Sequence, residues 1–190
     1  MRLSTNIIKF SLPWAVYFFL NECLKLSANL SSIVCILIVV VTGYKYLRKG
    51  FIFNWALLIS WILSAVLPEF LNYKYITNDA WLYSNILMAM ISWASIFMGK
   101  PFALQYAREE VEKNKWEHPL FIKVNVRITA MWGLVFSLCA FFHVLLINNL
   151  YDKNLITVGI FISVLFGIVF TARYPKYIRN KTKLTKIRGN

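Results

Sequence analysis

Charge is scarce in this chain. Asp, Glu, Lys and Arg make up 15% of its 190 residues, against about 25% in soluble domains. Only eight residues are acidic. A proton-coupled pump normally needs a carboxylic acid at mid-bilayer, because an ionisable group is kept in hydrocarbon only for a purpose. Glu22 and Glu69 instead fall near the outer ends of apolar stretches, which argues against a pump. The three cysteines, Cys23, Cys35 and Cys139, form no Cys-x-x-Cys pair and no zinc or disulfide spacing, so they read as small apolar fillers. There is no Walker sequence, no dinucleotide-binding glycine motif, no Gly-x-Ser-x-Gly and no His-Glu-x-x-His. No catalytic residue, metal site or cofactor is therefore assigned, and a non-enzymatic protein is the expectation.

What is present is apolar surface. Hydrophobic residues make up 59% of the chain, above the roughly 45–50% of soluble domains. A single globule of this size leaves about 30% of its chain surface wet, too much to hide this excess. A soluble enzyme, a disordered chain and a disulfide scaffold are excluded. A spanning helix needs about 20 mostly apolar residues rising about 1.5 Å each. Six stretches approach this, at 7–25, 28–44, 51–70, 80–98, 124–147 and 155–174. The sequence thus predicts an all-α integral membrane protein with six transmembrane helices in a single bundle over 1–174, followed by a basic tail at 175–190. The first stretch carries Lys9, Pro13, Asn21 and Glu22; if it is cleaved or lies at the interface, five spans remain. Pro68 marks the expected end of the third.

The net charge of +13 would suggest nucleic acid in a soluble protein, but here the basic residues stand at the ends of apolar runs. With both termini inside, eighteen Lys and Arg lie on the inner side and only Lys25, Lys74 and Lys153 lie outside. Positive charge is retained on the cytoplasmic side during insertion, so the layout predicts N-in, C-in. From Arg173 to the end of the tail there are seven positive charges and no acid, each worth about 1 kcal/mol near an anionic leaflet. Lipid, not nucleic acid, is the expected partner.

The longest connection, 99–123, predicts a short amphipathic helix at the cytoplasmic interface. Pro101 starts it, and Phe102, Ala103, Tyr106, Ala107 and Val111 form one apolar stripe. Arg108, Glu109, Glu112, Lys113 and Lys115 take the wet side, with a favourable Glu109–Lys113 spacing. Trp116 closes the helix at headgroup depth. Glu112 and His118 stand six apart, the wrong spacing for metal ligands on one helix face, so a solvated face is the reading. The candidate contacts to a protein or lipid partner are Lys100, Pro101, Phe102, Gln105, Tyr106, Arg108, Trp116, Asn125 and Arg127.

Two features lie inside spans. His143, in the fifth, is the intramembrane polar candidate. Gly159, Ser163, Gly167 and Thr171 recur every four residues along the sixth, a small-residue stripe for close helix packing, within the bundle or in a homodimer.

Gly99, Lys100 and Pro101 after the fourth span, Trp116 in the connection, and Asn125 then Trp132 in the fifth span resemble the bacterial intracellular septation protein A family, with a layout covering nearly the whole chain. The resemblance implies a bacterial inner-membrane protein, both termini cytoplasmic, that supports envelope maintenance and septation through contacts with other membrane, envelope or division proteins. A second expectation, of another class, is a small transporter or lipid-handling membrane enzyme with a site near His143, Trp132 and Asn125. It predicts a water-filled cavity between the helices that reaches His143.

Overall fold

The computed structural model describes residues 12–71 and 80–188, with the side chains at 22, 67–71, 80 and 182–188 outside the description. The first residues of the expected first span, the cations Arg2, Lys9 and Lys74, the side chains of Glu22, Pro68 and Glu69, and the tail side chains of Lys183, Lys186 and Arg188 thus lie outside the described residues. Every regular element among the described residues is helical.

Helix α1 covers 12–18 and passes into a π-helical turn at Phe19–Cys23. Helix α2 covers Ala28–Arg48, α3 Ile52–Leu71, α4 Ala80–Phe97, α5 Phe102–Arg108, α6 Pro119–Ile147 and α7 Lys153–Arg188, with a 3-10 turn at Lys113–Lys115. Three helices are long and apolar enough to cross a membrane, at Ala28–Arg48, Pro119–Ile147 and Lys153–Lys181; α4 with α5 makes a fourth if that bent pair is one span. The chain has the character of an all-α membrane protein.

Local chemistry sets the helix ends. The Ser27 side chain accepts a hydrogen bond from the Leu30 amide at 3.3 Å and starts α2, and Lys45 and Arg48 occupy its last turn, where cations suit the dipole. Pro119 begins α6, and His118 Nδ1 accepts from the Leu120 amide. Two expected ends differ: α3 runs past Pro68 to Leu71, and α7 continues through Pro175 to Arg188. Thus 175–188 extends the last helix where a separate tail was expected.

The packed region joins α2, α3, α4 and α6. Ser84, Met88, Ser92 and Ser95 stand on one face of α4 and are all 0% exposed. Such short side chains let helices approach in lipid, where no hydrophobic drive between helices exists. The Ser92 and Ser95 hydroxyls donate to the Met88 and Ser92 carbonyls at 2.7 and 2.8 Å, so burial leaves no unmet hydroxyl proton. Helix α1 inserts into this region. The Trp14 indole donates to Ser84 Oγ at 3.3 Å, the Cys35 thiol donates to the Pro13 carbonyl, and the Tyr17 ring lies 5.1 Å from Trp61.

The connection after α4 departs from expectation. Gly99 adopts a left-handed φ of 69° at little cost, and the chain bends by 75° into α5. The resulting helix has only seven residues, and Phe102, Ala103, Leu104, Tyr106 and Ala107 are all buried. Its stripe meets the other helices instead of the lipid interface. Within a membrane, free backbone groups must find partners in the protein, and this helix has them. The Phe102 amide donates to Ser95 Oγ, and the Ala103 amide to Thr129 Oγ1, both at 3.2 Å. Gln105 Oε1 in turn accepts the Ile52 amide at the head of α3. Helix α5 closes one end of the bundle.

Candidate intramembrane site

Helix α7 packs chiefly on α6. Gly159 and Gly167 face Phe142 and Val135 so closely that an added Cβ would lie 3.1 Å from each ring or methyl carbon. The Ser163 hydroxyl donates to the Gly159 carbonyl, and Thr171 Oγ1 accepts the Trp132 indole proton at 3.0 Å. The four-residue stripe is therefore spent on contact between α7 and α6 within one chain.

Beside that contact lies a cavity of about 610 Å³, within the roughly 300–1,000 Å³ usual for small-molecule sites. One face of α6 lines it through Asn125, Ile128, Trp132, Phe136, Cys139, His143 and Leu146, a run at intervals of three and four. Trp14 and Phe18 of α1, Asn21 of the π-helical turn, and Thr157, Ile160, Phe161 and Val164 of α7 form the facing walls, also at helical spacing. From Asn125 to Leu146 the helix rises about 32 Å at about 1.5 Å per residue, close to the thickness of a hydrocarbon core. The cavity is long and its lining is mostly apolar. Its floor is α5, through Phe102, Ala103 and Tyr106. Between α1 and α7 the partly exposed rings of Phe18 and Phe161 meet edge-on, 6.3 Å apart.

Most polar groups on the lining are satisfied by the protein. The Asn125 and Asn85 amides donate to the Phe121 and Trp81 carbonyls at 2.8 Å. The Tyr106 hydroxyl donates to Asn54 Oδ1. His143 and Asn21 are exceptions. His143 is 8% exposed, its ring lies 5.7 Å from that of Trp81, and neither ring nitrogen has a hydrogen-bond partner. The Asn21 side-chain nitrogen is likewise buried without one. A buried polar group left unpaired costs about 1–3 kcal/mol, so these two residues are the places on the lining where a ligand gains most.

Among the other candidate contact residues, the structure separates two groups. Phe102, Tyr106, Asn125 and His143 line the cavity; Phe102 also stacks on Phe53 at 4.6 Å. Pro101 is buried, and Gln105 caps α3. Lys100 is exposed. The Arg108 guanidinium lies over the Trp116 ring at 5.3 Å, and the Trp116 indole donates to the Val111 carbonyl. Arg127 bonds the Tyr174 hydroxyl and lies over its ring. Glu109 does not pair with Lys113, because α5 stops at Arg108. It pairs with Lys49 at 2.6 Å and Lys45 at 3.4 Å, and the Lys49 hydrogen bonds hold its carboxyl below the ordinary value of 4.5. These contacts bring the α2–α3 turn, the 99–118 connection and the start of α6 with Tyr174 of α7 to the same end of the bundle.

Nothing in the amino-acid sequence had marked out Trp14 or Val164 individually. The signal for them is periodic: 14 and 18 on α1 and 21 in the π-helical turn share a face, as do 125, 128, 132, 136, 139, 143 and 146 on α6. Which faces look at each other was not readable. Among the described residues no three His, Cys, Asp or Glu side chains cluster to hold a metal ion. In comparisons with protein-family models, curated proteins and solved structures, nothing matched this chain.

Proposed function

We propose that this chain is a multi-pass membrane protein that takes a single lipid-class molecule into the cavity between α1, α6 and α7 and handles or transports it there. One observation supports this above the rest: Asn125, Trp132 and His143 line one elongated cavity, the arrangement expected of a lipid-handling protein. The lining is mostly apolar and carries a set of polar side chains, among them Asn21, Asn125 and His143, as sites for amphipathic ligands do, and the exposed rings of Phe18 and Phe161 put the α1–α7 side of the cavity toward lipid. In this reading the chain has six spans, with both termini and the basic end containing Lys45, Lys49, Lys100 and Arg127 on the cytoplasmic side, where cations meet anionic lipid. Native mass spectrometry of the full chain released from nanodiscs tests it. One tightly held lipid per chain is expected, lost in the double variant Thr157→Phe/Val164→Phe, which fills the cavity. Equal lipid retention in both proteins would overturn the reading.

A second proposal follows from the septation protein A resemblance: a bacterial inner-membrane protein that supports the envelope through protein contacts. What favours it is the exposed basic end, with Lys100, Lys113 and Lys115 all at the surface. Photo-crosslinking from Lys100 and Asn114 in cells should capture one specific membrane or division partner; adducts to lipid alone would count against it. The small-residue stripe gives no support to a homodimer, because α6 already occupies it.

A further inference from the structure

We infer that the His143 end of the cavity binds the hydroxyl of an uncharged lipid alcohol, whose chain runs along Phe136 and Trp132 toward α5. This rests on the lipid-handling reading and adds the head-group chemistry and the orientation.

Two polar groups on the lining are buried without partners, the His143 ring and the Asn21 side-chain nitrogen. In its uncharged form an imidazole offers one N–H and one lone pair, and both nitrogens of His143 are buried and unpaired. The Asn21 side-chain nitrogen adds a buried donor on the facing wall. A hydroxyl both donates and accepts through one atom, so it can donate to the lone pair of one ring nitrogen while accepting from a second donor such as Asn21 Nδ2. An ether or a hydrocarbon end leaves the ring N–H or lone pair unmet, at the cost of a buried unsatisfied group.

An anionic head group fits less well. Lys153 is the cation on this lining, but it is already engaged in contacts of its own. The neighbouring N-terminus of α7 is also occupied: the Asp152 carboxylate accepts the Asn154 and Leu155 amides at 2.9 and 3.0 Å. That carboxylate repels a second anion where helix dipole and amides would otherwise attract one. His143 stands four residues before the end of α6 at Ile147, near the depth where a lipid head group meets water. From there the lining toward Asn125 is dominated by the rings of Phe136, Trp132 and Trp14, which suit an apolar chain.

Quenching of tryptophan fluorescence by brominated probes tests this on the full chain in nanodiscs, since Trp14, Trp81 and Trp132 line the cavity. Three probes of equal chain length are compared: a brominated long-chain alcohol, its methyl ether and the matching carboxylate. The alcohol is expected to quench saturably and to bind about tenfold more tightly than the ether, the worth of one hydrogen bond. His143→Phe should bring the alcohol down to the ether, Asn21→Leu should weaken it less, and His143→Gln, which keeps a donor and an acceptor, should restore the preference. Equal binding of alcohol and ether, or tightest binding of the carboxylate, overturns the head-group assignment. If those equal affinities still vanish in Thr157→Phe/Val164→Phe, the lipid-handling reading stands without it. No saturable quenching by any probe, or quenching unchanged in the double variant, overturns both.

Discussion

Helices α4 and α7 each carry a stripe of small residues, yet one is buried and the other stands half open. On α4, Ser84, Met88, Ser92 and Ser95 are wholly buried, and the helix touches neighbours on several sides. Ser84 meets Ser60 of α3 and Trp14 of α1, while Trp93 donates to Ser137 of α6. On α7, Gly159, Gly167 and Thr171 meet α6 alone, and Phe161, Ile162, Leu165 and Phe166 remain at least 58% exposed. The difference teaches that one small-residue face secures one neighbour. The flank of α7 toward α1 bears Ile160, Phe161 and Val164, too large for close approach, and a cavity is left there, which α4 borders only through Trp81 and Asn85.

The comparison is broken most forcefully at Trp61, which is 0% exposed in the packed region. Trp61→Ala should cost about 3–5 kcal/mol of stability, whereas Phe161→Ala on the open side should cost under about 0.5 kcal/mol. Unfolding in mixed micelles by a denaturing detergent measures both; equal losses would mean that the two sides are packed alike. Next in size is Ser92→Leu. Overpacking at this fully buried position should cost about 1–3 kcal/mol, while Val164→Leu at the cavity wall should be close to neutral in the same assay.

The end closed by α5 sharpens the contrast. Gln105→Leu removes the acceptor of the Ile52 amide, and an unmet amide costs about 1–2 kcal/mol. Hydrogen exchange at Ile52 should accelerate about tenfold or more; unchanged protection would show that α3 is capped otherwise. The smallest effect is that of Glu109. Its carboxyl is held below 4.5 by hydrogen bonds to Lys49, so its pairing contributes fully above that value and is lost as pH falls below it. A partly exposed ion pair is worth about 0–1 kcal/mol. Glu109→Gln should therefore lower thermal stability slightly at neutral pH, and the gap from wild type should close as pH drops through and below 4.5. A gap that persists in acid would assign another role to this side chain.

Much of the scaffold was legible because a spanning helix announces itself by length and composition. The expected starts of α2 and α4 agree with Ala28 and Ala80, and the expected end of α6 agrees with Ile147. The α7 stripe was legible as a packing face, and small residues at that spacing have little other use in lipid. The α5 stripe was legible too, but its direction was misread. An apolar face beside a basic one looks the same in sequence whether it meets lipid or protein, and the 75° bend after Gly99 chose protein. Glu109 was assigned to Lys113 on the premise of a continuous helix, and the early stop at Arg108 handed it to Lys49. His143 could be picked out as an ionisable group in an apolar run, but not as one without a partner.

By itself the amino-acid order determined the solvent and the class of fold, since so much apolar surface with so little charge can be buried only in helices set in lipid. It also determined the one-sided faces of α1, α6 and α7, because helical periodicity is a local property. Only the tertiary structure decided which faces meet. The small side chains of α7 were drawn against α6, its large ones were left opposite α1, and the space between became a cavity. That choice turns on the shapes of several helices at once, and no single stretch of chain contains it.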